Sequence, residues 1–273
     1  MKITLLGTGS PIPDARRAGP ATLVQVGGQH LLIDCGRGVS MRLAAAGIPS
    51  PLFLDRVLLT HLHSDHVTDF NDLVTMRWAM SPVRSPLPVV GPPGTEAFAQ
   101  RTLDMLRPDI GYRRAHHDDL GWDPACEVTE VLDQVLDLGG VIVTAAPTDH
   151  RPVAPTVGYR IEHEGRIVVL AGDTVPCESL DRLVAGADVY VQTVVRPDLI
   201  QPIGIPRLTD ICDYHSSVEQ AARTAARGGV GTLVLTHLVP APAPGEEQPW
   251  IDLAREHFDG RVVVAEDLTV VQA

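Results

Sequence analysis

The stretch Thr60-His61-Leu62-His63-Ser64-Asp65-His66 carries the densest chemistry in this chain. Four metal-ligand side chains fall within it, directly behind the apolar run Val57-Leu58-Leu59. Imidazole and carboxylate are donors that a borderline ion such as zinc accepts. His61 and His63 alternate as side chains do where a strand runs out, so both can face one side. Asp65 and His66 open the next segment and can turn toward a second ion. A polar surface loop accounts for a single His-X-His; four ligand types behind a buried strand point to a metal site.

Apolar strands also end at His150, Asp173 and His237, each just past its last buried position. Such termini are where rigid scaffolds present functional groups. A lone histidine there is ordinarily a hydrogen-bonded core residue, but a neighbouring cluster of ligand types favours ligation. Seven candidates exceed one tetrahedral zinc and suit two ions sharing a carboxylate. Asp34 follows Leu31-Leu32-Ile33. It is either a turn former or cap, or a carboxylate that orients a ligand.

The elements that must position these groups follow from periodicity. Strands are expected at residues 2–7, 21–26 and 30–34, the latter two joined at Gly27-Gly28. Residues 39–47 have helical spacing, Val57–Leu59 is a buried strand, and a helix follows from about Asp69 to Ala79. A strand at 87–91 and a helix at 95–106 come next, then a polar segment, 107–122, expected to be a solvated loop. Strand-like runs recur at 131–132, 141–145, 156–162 and 166–170, the last two joined at Glu164-Gly165. A helix at 179–185 and a strand at 189–192 lead to a proline-rich loop with Pro197, Pro202 and Pro206. Ser216 or Ser217 caps a helix running to about Arg227. A strand at 232–236 delivers His237, residues 239–249 form a loop, and strands at 262–265 and 269–271 close the chain. Two groups of strands, each with helices, imply an α/β protein whose two sheets pack inside helical layers.

A length of 273 residues, 44% hydrophobic and 21% charged, is ordinary for a globular protein of one large or two small domains. No uncharged run approaches the roughly 20 residues a membrane span needs, and the first residues read as a strand rather than a leader. Cys35, Cys126, Cys177 and Cys212 are scattered without a Cys-X-X-Cys pair, as expected of reduced thiols in a cytoplasmic protein. The net charge of −12 weighs against broad, nonspecific nucleic-acid binding, although bound cations can invert the field at one site.

The chain resembles a metallo-β-lactamase-fold hydrolase of the ribonuclease Z type. The resemblance rests on Gly7-Thr8-Gly9-Ser10, Asp34-Cys35-Gly36-Arg37-Gly38, Thr60 to His66, and His150 followed by Gly158-Tyr159-Arg160-Ile161-Glu162. It continues through Gly172-Asp173-Thr174, His215-Ser216-Ser217 and Leu235-Thr236-His237, spanning nearly all 273 residues as one hydrolase domain. It implies an αββα four-layer sandwich, two packed mixed sheets flanked by helices, with the site at one edge. It further implies two Zn2+ ions, with Mn2+ able to share the ligands: His61, His63 and His150 on one, Asp65, His66 and His237 on the other, and Asp173 bridging. A water between the ions is then the nucleophile. Asp65 matches the family's proton acceptor. His215 matches the histidine near the leaving group, against the plainer reading of a helix-start residue. Ser216 and Ser217 are candidates to offer hydroxyls or backbone N–H groups to a phosphate.

Three departures stand out. The arm that many ribonucleases Z use to grip transfer RNA, between the Gly-Tyr-Arg and Gly-Asp-Thr strands, is absent, because Arg160 to Arg166 passes almost directly to Val168. The family's histidine–glutamate–alanine–threonine loop is represented by Val191-Gln192-Thr193-Val194, without the acidic residue that orients the catalytic histidine. Leu238-Val239-Pro240-Ala241-Pro242 replaces a turn bearing serine and arginine. The expected function is a two-metal phosphodiesterase that cleaves precursor tRNA past the mature 3′ end, with Arg77, Arg113 or Arg114 supplying positive charge. The alternatives are a hydrolase of small phosphodiesters or arylsulfatase-like esters, and a noncatalytic metal-binding protein. Relatives pair as homodimers, which implies the same here.

Overall fold

Alternation along the chain builds the layers. In a strand, neighbouring side chains point to opposite faces; Leu58 accordingly joins a core between two sheets, while Val57 and Leu59 join a second core under helices. The same switch occurs at Val168, Val169 and Leu170, where Val169 alone faces outward.

The structure is a computed structural model describing residues 1–273. One sheet uses β1 (Lys2–Gly7), β2 (Ala21–Val26), β3 (Gln29–Ile33), β4 (Arg56–Leu58), β5 (Leu87–Gly91) and β6 (Cys126–Glu130). The other uses β7 (Gln134–Asp137), β8 (Ile142–Pro147), β9 (Val157–His163), β10 (Arg166–Leu170), β11 (Val189–Val195), β12 (Thr232–Val239) and β13 (Arg261–Val264). The final strand, β14 (Thr269–Gln272), returns to pair with β1. The orders are β14-β1-β2-β3-β4-β5-β6 and β13-β12-β11-β10-β9-β8-β7. Each sheet is antiparallel on one side and parallel on the other, the parallel half starting at β3 and at β10.

Three apolar layers hold the sandwich. Ile3, Val24, Leu31, Ile33 and Leu58 meet Tyr159, Ile161, Val168, Leu170 and Val234 between the sheets. On one outer face, α1 (Val39–Ala45), α3 (Phe70–Met80) and α4 (Thr95–Met105) cover Leu23, Leu32 and Val57; the short α2 (Ser64–Val67) precedes α3. On the other face, α6 (Glu178–Val184), α9 (Val218–Gly228) and α10 (Gln248–Arg255) cover Val169, Tyr190, Leu233 and Leu235. Each fully buried large side chain contributes about 1.5–3 kcal/mol before ordering costs are subtracted. The layers match the expected αββα class.

Several expectations needed correction. Residues 107–116 form a helix, α5, rather than a loop, yet bury no side chain. Its outward faces carry Arg113 paired with Asp109 one turn away, a stabilising spacing that leaves no hydrophobic period to read. Val131-Leu132 is the bend between β6 and β7, not a strand: Val131 is buried, its N–H bonding Gly91, and Leu132 is exposed. The proline-rich segment contains the short helices α7 (Pro197–Ile200) and α8 (Pro206–Asp210), because proline is tolerated in a first turn. α10 begins inside the expected 239–249 loop. β9 and β10 are joined by the tight turn at Glu164-Gly165, with no inserted arm.

Candidate metal centre

The parallel strands deliver their C-terminal ends to one edge of the sandwich. β4 runs out through Leu59 and Thr60 into His61 and His63, and α2 presents Asp65 and His66. Tyr159 Oη, fully buried, donates to the Leu59 carbonyl at 2.7 Å and pins this exit. Asp173 follows β10 across Gly172, whose φ is 65°. A Cβ on Gly172 would stand 2.7 Å from that of Thr60, so only glycine lets the Asp173 loop reach the histidine loop. His237 lies inside β12, in a left-handed backbone (φ 51°) that turns its ring toward the cluster. Asp34 shares that conformation at φ 58°. Such backbone costs about 1–3 kcal/mol for each residue and persists where neighbours over-determine it.

The structure brings all seven sequence-predicted ligand candidates together. The donor atoms of His61, His63, His150 and Asp173 lie within 4.8 Å of one another, as do those of Asp65, His66 and His237. Asp173 stands between the groups: its Oδ2 is 3.8 Å from His61 Nε2, 3.8 Å from His150 Nε2, 3.3 Å from His66 Nε2 and 3.6 Å from His237 Nε2. Asp65 Oδ2 is 3.2 Å from His237 Nε2 and 3.6 Å from His66 Nε2. His215 Nε2 sits 3.2 Å from Asp173 Oδ2.

Hydrogen bonds behind the rings decide which nitrogen is free. Thr60 Oγ donates its one proton to Asp34 at 2.8 Å, so at 3.0 Å it accepts from His61 Nδ1. His66 Nδ1 donates to Asp34 Oδ2 at 2.8 Å, and His150 Nδ1 donates to the Tyr214 carbonyl at 2.8 Å. Each of these three rings therefore commits Nδ1 to the protein and presents Nε2 to the cluster, the arrangement that metal-ligating histidines adopt. Asp34 thus takes the orienting role, not that of a helix cap. Thr60 and the Tyr214 carbonyl complete this support. No residue type marks the carbonyl, since every residue carries one.

The polar atoms test whether these residues suit a cation. His61 Nε2, His66 Nε2, His237 Nδ1 and Asp173 Oδ1 are buried without a hydrogen-bond partner. Orphaned buried groups of this kind are rare and costly unless something unseen satisfies them. Of these, His61 Nε2, His66 Nε2 and Asp173 Oδ1 belong to groups that face the cluster, and all three are good donors to a divalent ion, so the residues fit.

The electrostatics divide the cluster. Burial pushes His61 and His63 down, and takes His150 down to about 4. Burial opposes charge on His66 too, but the Asp173 and Asp34 carboxylates outweigh it and raise that ring well above its ordinary value. For Asp173 burial favours the neutral acid, yet His237, His66 and His215 hold the carboxyl well below the usual range. Asp65 is held down in the same way, chiefly by its bond to His237. The carboxylates are thus ionised and His61, His63 and His150 neutral at pH 7, as metal binding requires, whereas His66 holds a proton in the metal-free protein that a bound cation would displace.

The remaining candidates have definite places. His215 Nδ1 donates to the Ile211 carbonyl at 2.8 Å, so a backbone oxygen orients it. Gln192, fully buried, accepts from Tyr190 Oη and donates to the Thr193 carbonyl instead of touching His215. Ser216 Oγ donates to the Thr174 carbonyl at 2.7 Å. Ser217 Oγ accepts from Gln220 N in a reciprocal cap of α9, so both hydroxyls are engaged within the protein. The three arginines have partners elsewhere in the protein. Arg77 donates to the carbonyls of Pro51, Leu54, Ser85 and Pro86, while Arg113 and Arg114 pair with Asp109 and Asp123.

Residues 29–238 match a family described as a β-lactamase superfamily domain. Relatives named Ribonuclease Z from Mycobacterium avium (strain 104) and Mycolicibacterium gilvum (strain PYR-GCK) are 58% and 55% identical, across 100% of this chain and 98% and 96% of theirs. Among solved structures, the metallo-β-lactamase-fold protein YhfI of Bacillus subtilis superposes with a TM-score of 0.78 at 24% identity, covering 100% of this chain and 99% of that one. The short form of human tRNase Z gives 0.73 at 22% identity, with the same coverage.

Proposed function

The chain belongs to the ribonuclease Z family of the β-lactamase superfamily, and from that premise we infer that it is an endoribonuclease that hydrolyses precursor tRNA at its 3′ end. The observation that carries the chemistry is Asp173, whose Oδ2 lies within 3.8 Å of imidazoles from both ligand groups. Two divalent ions, zinc or manganese, suit these donors: His61, His63 and His150 would hold one, Asp65, His66 and His237 the other, with Asp173 shared. Bound there, they would supply Lewis acidity for the phosphoryl oxygens and a nucleophilic water at neutral pH.

The chain's own groups do the rest. Asp34, Thr60 and the Tyr214 carbonyl keep the ligand lone pairs aimed inward. Asp65, ionised and lining the open cavity, is placed to accept a proton from the attacking water. His215 lines the same cavity; burial opposes its charge, but the bond to Asp173 raises it above its ordinary value. That direction favours the protonated ring, the form suited to stabilise the leaving oxygen or protonate it.

The reading includes a homodimer acting in the cytoplasm. The exposed Leu199, Ile203 and Ile205, on the short-helix segment that continues into the cavity wall, support self-association. Four free cysteines and the lack of any helix long and apolar enough to cross a membrane suit a reducing compartment. The test is metal-reconstituted protein given a precursor tRNA and bis-(p-nitrophenyl) phosphate side by side, with Asp65→Asn as control. One cut beyond the acceptor stem supports the reading; turnover of the small diester alone discards the RNA assignment.

A further inference from the structure

Ser10, Pro11, Ile12, Leu208, Ile211 and Tyr214 line a cavity of about 170 Å3 together with His63, Asp65, Asp173, His215 and His237 of the ligand cluster. No lysine or arginine lines it, and the protein carries a net charge of −12. The ligand cluster is therefore the cavity's source of attraction for a phosphodiester, and the walls have another role. They are apolar, and one is aromatic. The Tyr214 ring packs 4.7 Å from His215 and 5.2 Å, edge to face, from His150, measured between ring centres. Those two imidazoles are themselves tied to backbone carbonyls, so the ring is pre-organised at the rim of the metal centre rather than free to rotate.

We propose that Tyr214, with Ile12, Leu208 and Ile211, forms a slot for the unpaired base of the nucleotide next to the scissile phosphate. This rests on the RNA-processing reading. An unpaired base bound to protein is usually stacked on an aromatic ring and flanked by apolar side chains, because every base presents a π-face and a desolvated rim. A duplex end offers no such free face, so the slot also selects for a single-stranded cleavage point. With no basic side chain in the cavity, stacking is the term that holds the strand in register over Asp173. The slot accepts a planar aromatic group beside a phosphodiester, a description that fits a nucleobase and an aryl ester alike.

The experiment compares three diesters on the metal-loaded protein: methyl p-nitrophenyl phosphate, and thymidine 3′- and 5′-(p-nitrophenyl phosphate). All three release the same phenol, so a nucleoside preference reports the flanking base. We expect one thymidine diester to be preferred in kcat/KM, and Tyr214→Ala to reduce that preference roughly 5- to 150-fold, mainly through KM, as loss of one base stack does. Tyr214→Phe keeps the preference. An unchanged ratio in Tyr214→Ala, an absent preference in the wild type, or loss of the preference in Tyr214→Phe each overturns the slot. With bis-(p-nitrophenyl) phosphate added as a fourth diester, a higher kcat/KM for it than for either thymidine diester overturns the slot in favour of an aryl site. A substrate-side measurement needs no variant: precursor RNA with one abasic position on either flank of the cut. Slower cleavage with one of them supports the slot, and equal rates with both overturn it. A wild type that prefers a thymidine diester but never cuts the RNA keeps the slot and refutes the processing reading.

Discussion

Replacing Asp34 with asparagine isolates the charge and acceptor character of one buried carboxylate. Its Oδ1 accepts from Thr60 N, and its Oδ2 accepts from both Thr60 Oγ and His66 Nδ1, each at 2.8 Å. Asparagine tolerates the left-handed backbone at φ 58°, so strain is not added as it would be with alanine. It has one acceptor oxygen where three donors converge. If that oxygen serves Thr60, the amide NH2 faces His66 Nδ1, and the ring must move its proton to Nε2 to accept the bond. That blocks the lone pair turned toward Asp173 and Asp65. Loss of such an orienting partner lowers metal affinity about 10- to 100-fold, or about 1.4–2.8 kcal/mol. A charged hydrogen bond lost from the metal-free protein costs about 1.5–3 kcal/mol of stability in addition. Competition with a chelator of known affinity measures the first, and urea unfolding of the stripped protein the second. Wild-type affinity in Asp34→Asn would refute the claim that Asp34 sets the His66 tautomer.

Three further outcomes follow from the same geometry. Asp173→Ala removes the oxygen both ligand groups face, so metal content measured by plasma emission falls at both positions; full two-metal occupancy contradicts the bridging role. His215→Ala keeps its metal but loses about 10²- to 10⁴-fold in kcat, the usual contribution of a general acid, and unchanged turnover removes it from the catalytic set. Burial holds His150 at about 4 in the native protein against an ordinary 6.5. Below pH 6.5 the unfolded chain takes up a proton that the native state refuses, so stability is lost as pH falls and the loss ends near pH 4. At about 1.4 kcal/mol for each pH unit, that is about 3 kcal/mol. Urea unfolding of the metal-free proteins should show wild type losing this much relative to His150→Gln between pH 7 and pH 4; parallel pH profiles would contradict it.

What could be read from the chain was whatever repeats at two-residue spacing or clusters by chemical type. Val57-Leu58-Leu59 announces a strand buried on both faces, and His61 to His66 announces what its end is for. α5 was invisible because a helix that buries nothing has no apolar stripe; its Arg113–Asp109 pair reads equally well as a polar loop. Val131 misled because one buried side chain at a bend resembles the start of a strand. In the site, side chains were legible, the orienting Asp34 among them, and the backbone supports were not. The carbonyls of Ile211 and Tyr214 orient His215 and His150, and a carbonyl leaves no mark on residue identity. That is why the lack of an acidic orienting residue near Gln192 could be seen in the sequence while its replacement could not.

The most direct test of the central claim replaces the 2′-hydroxyl on the upstream side of the cut with hydrogen and runs the reaction in H2(18)O. Hydrolysis by an external water, which ions held around Asp173 would activate, needs no neighbouring hydroxyl. The account predicts that the deoxy-substituted precursor tRNA is still cut at the same position, with one 18O in the product phosphate. Abolished cleavage, or a 2′,3′-cyclic phosphate on the unmodified substrate, would mean that the RNA's own hydroxyl is the nucleophile and would contradict it.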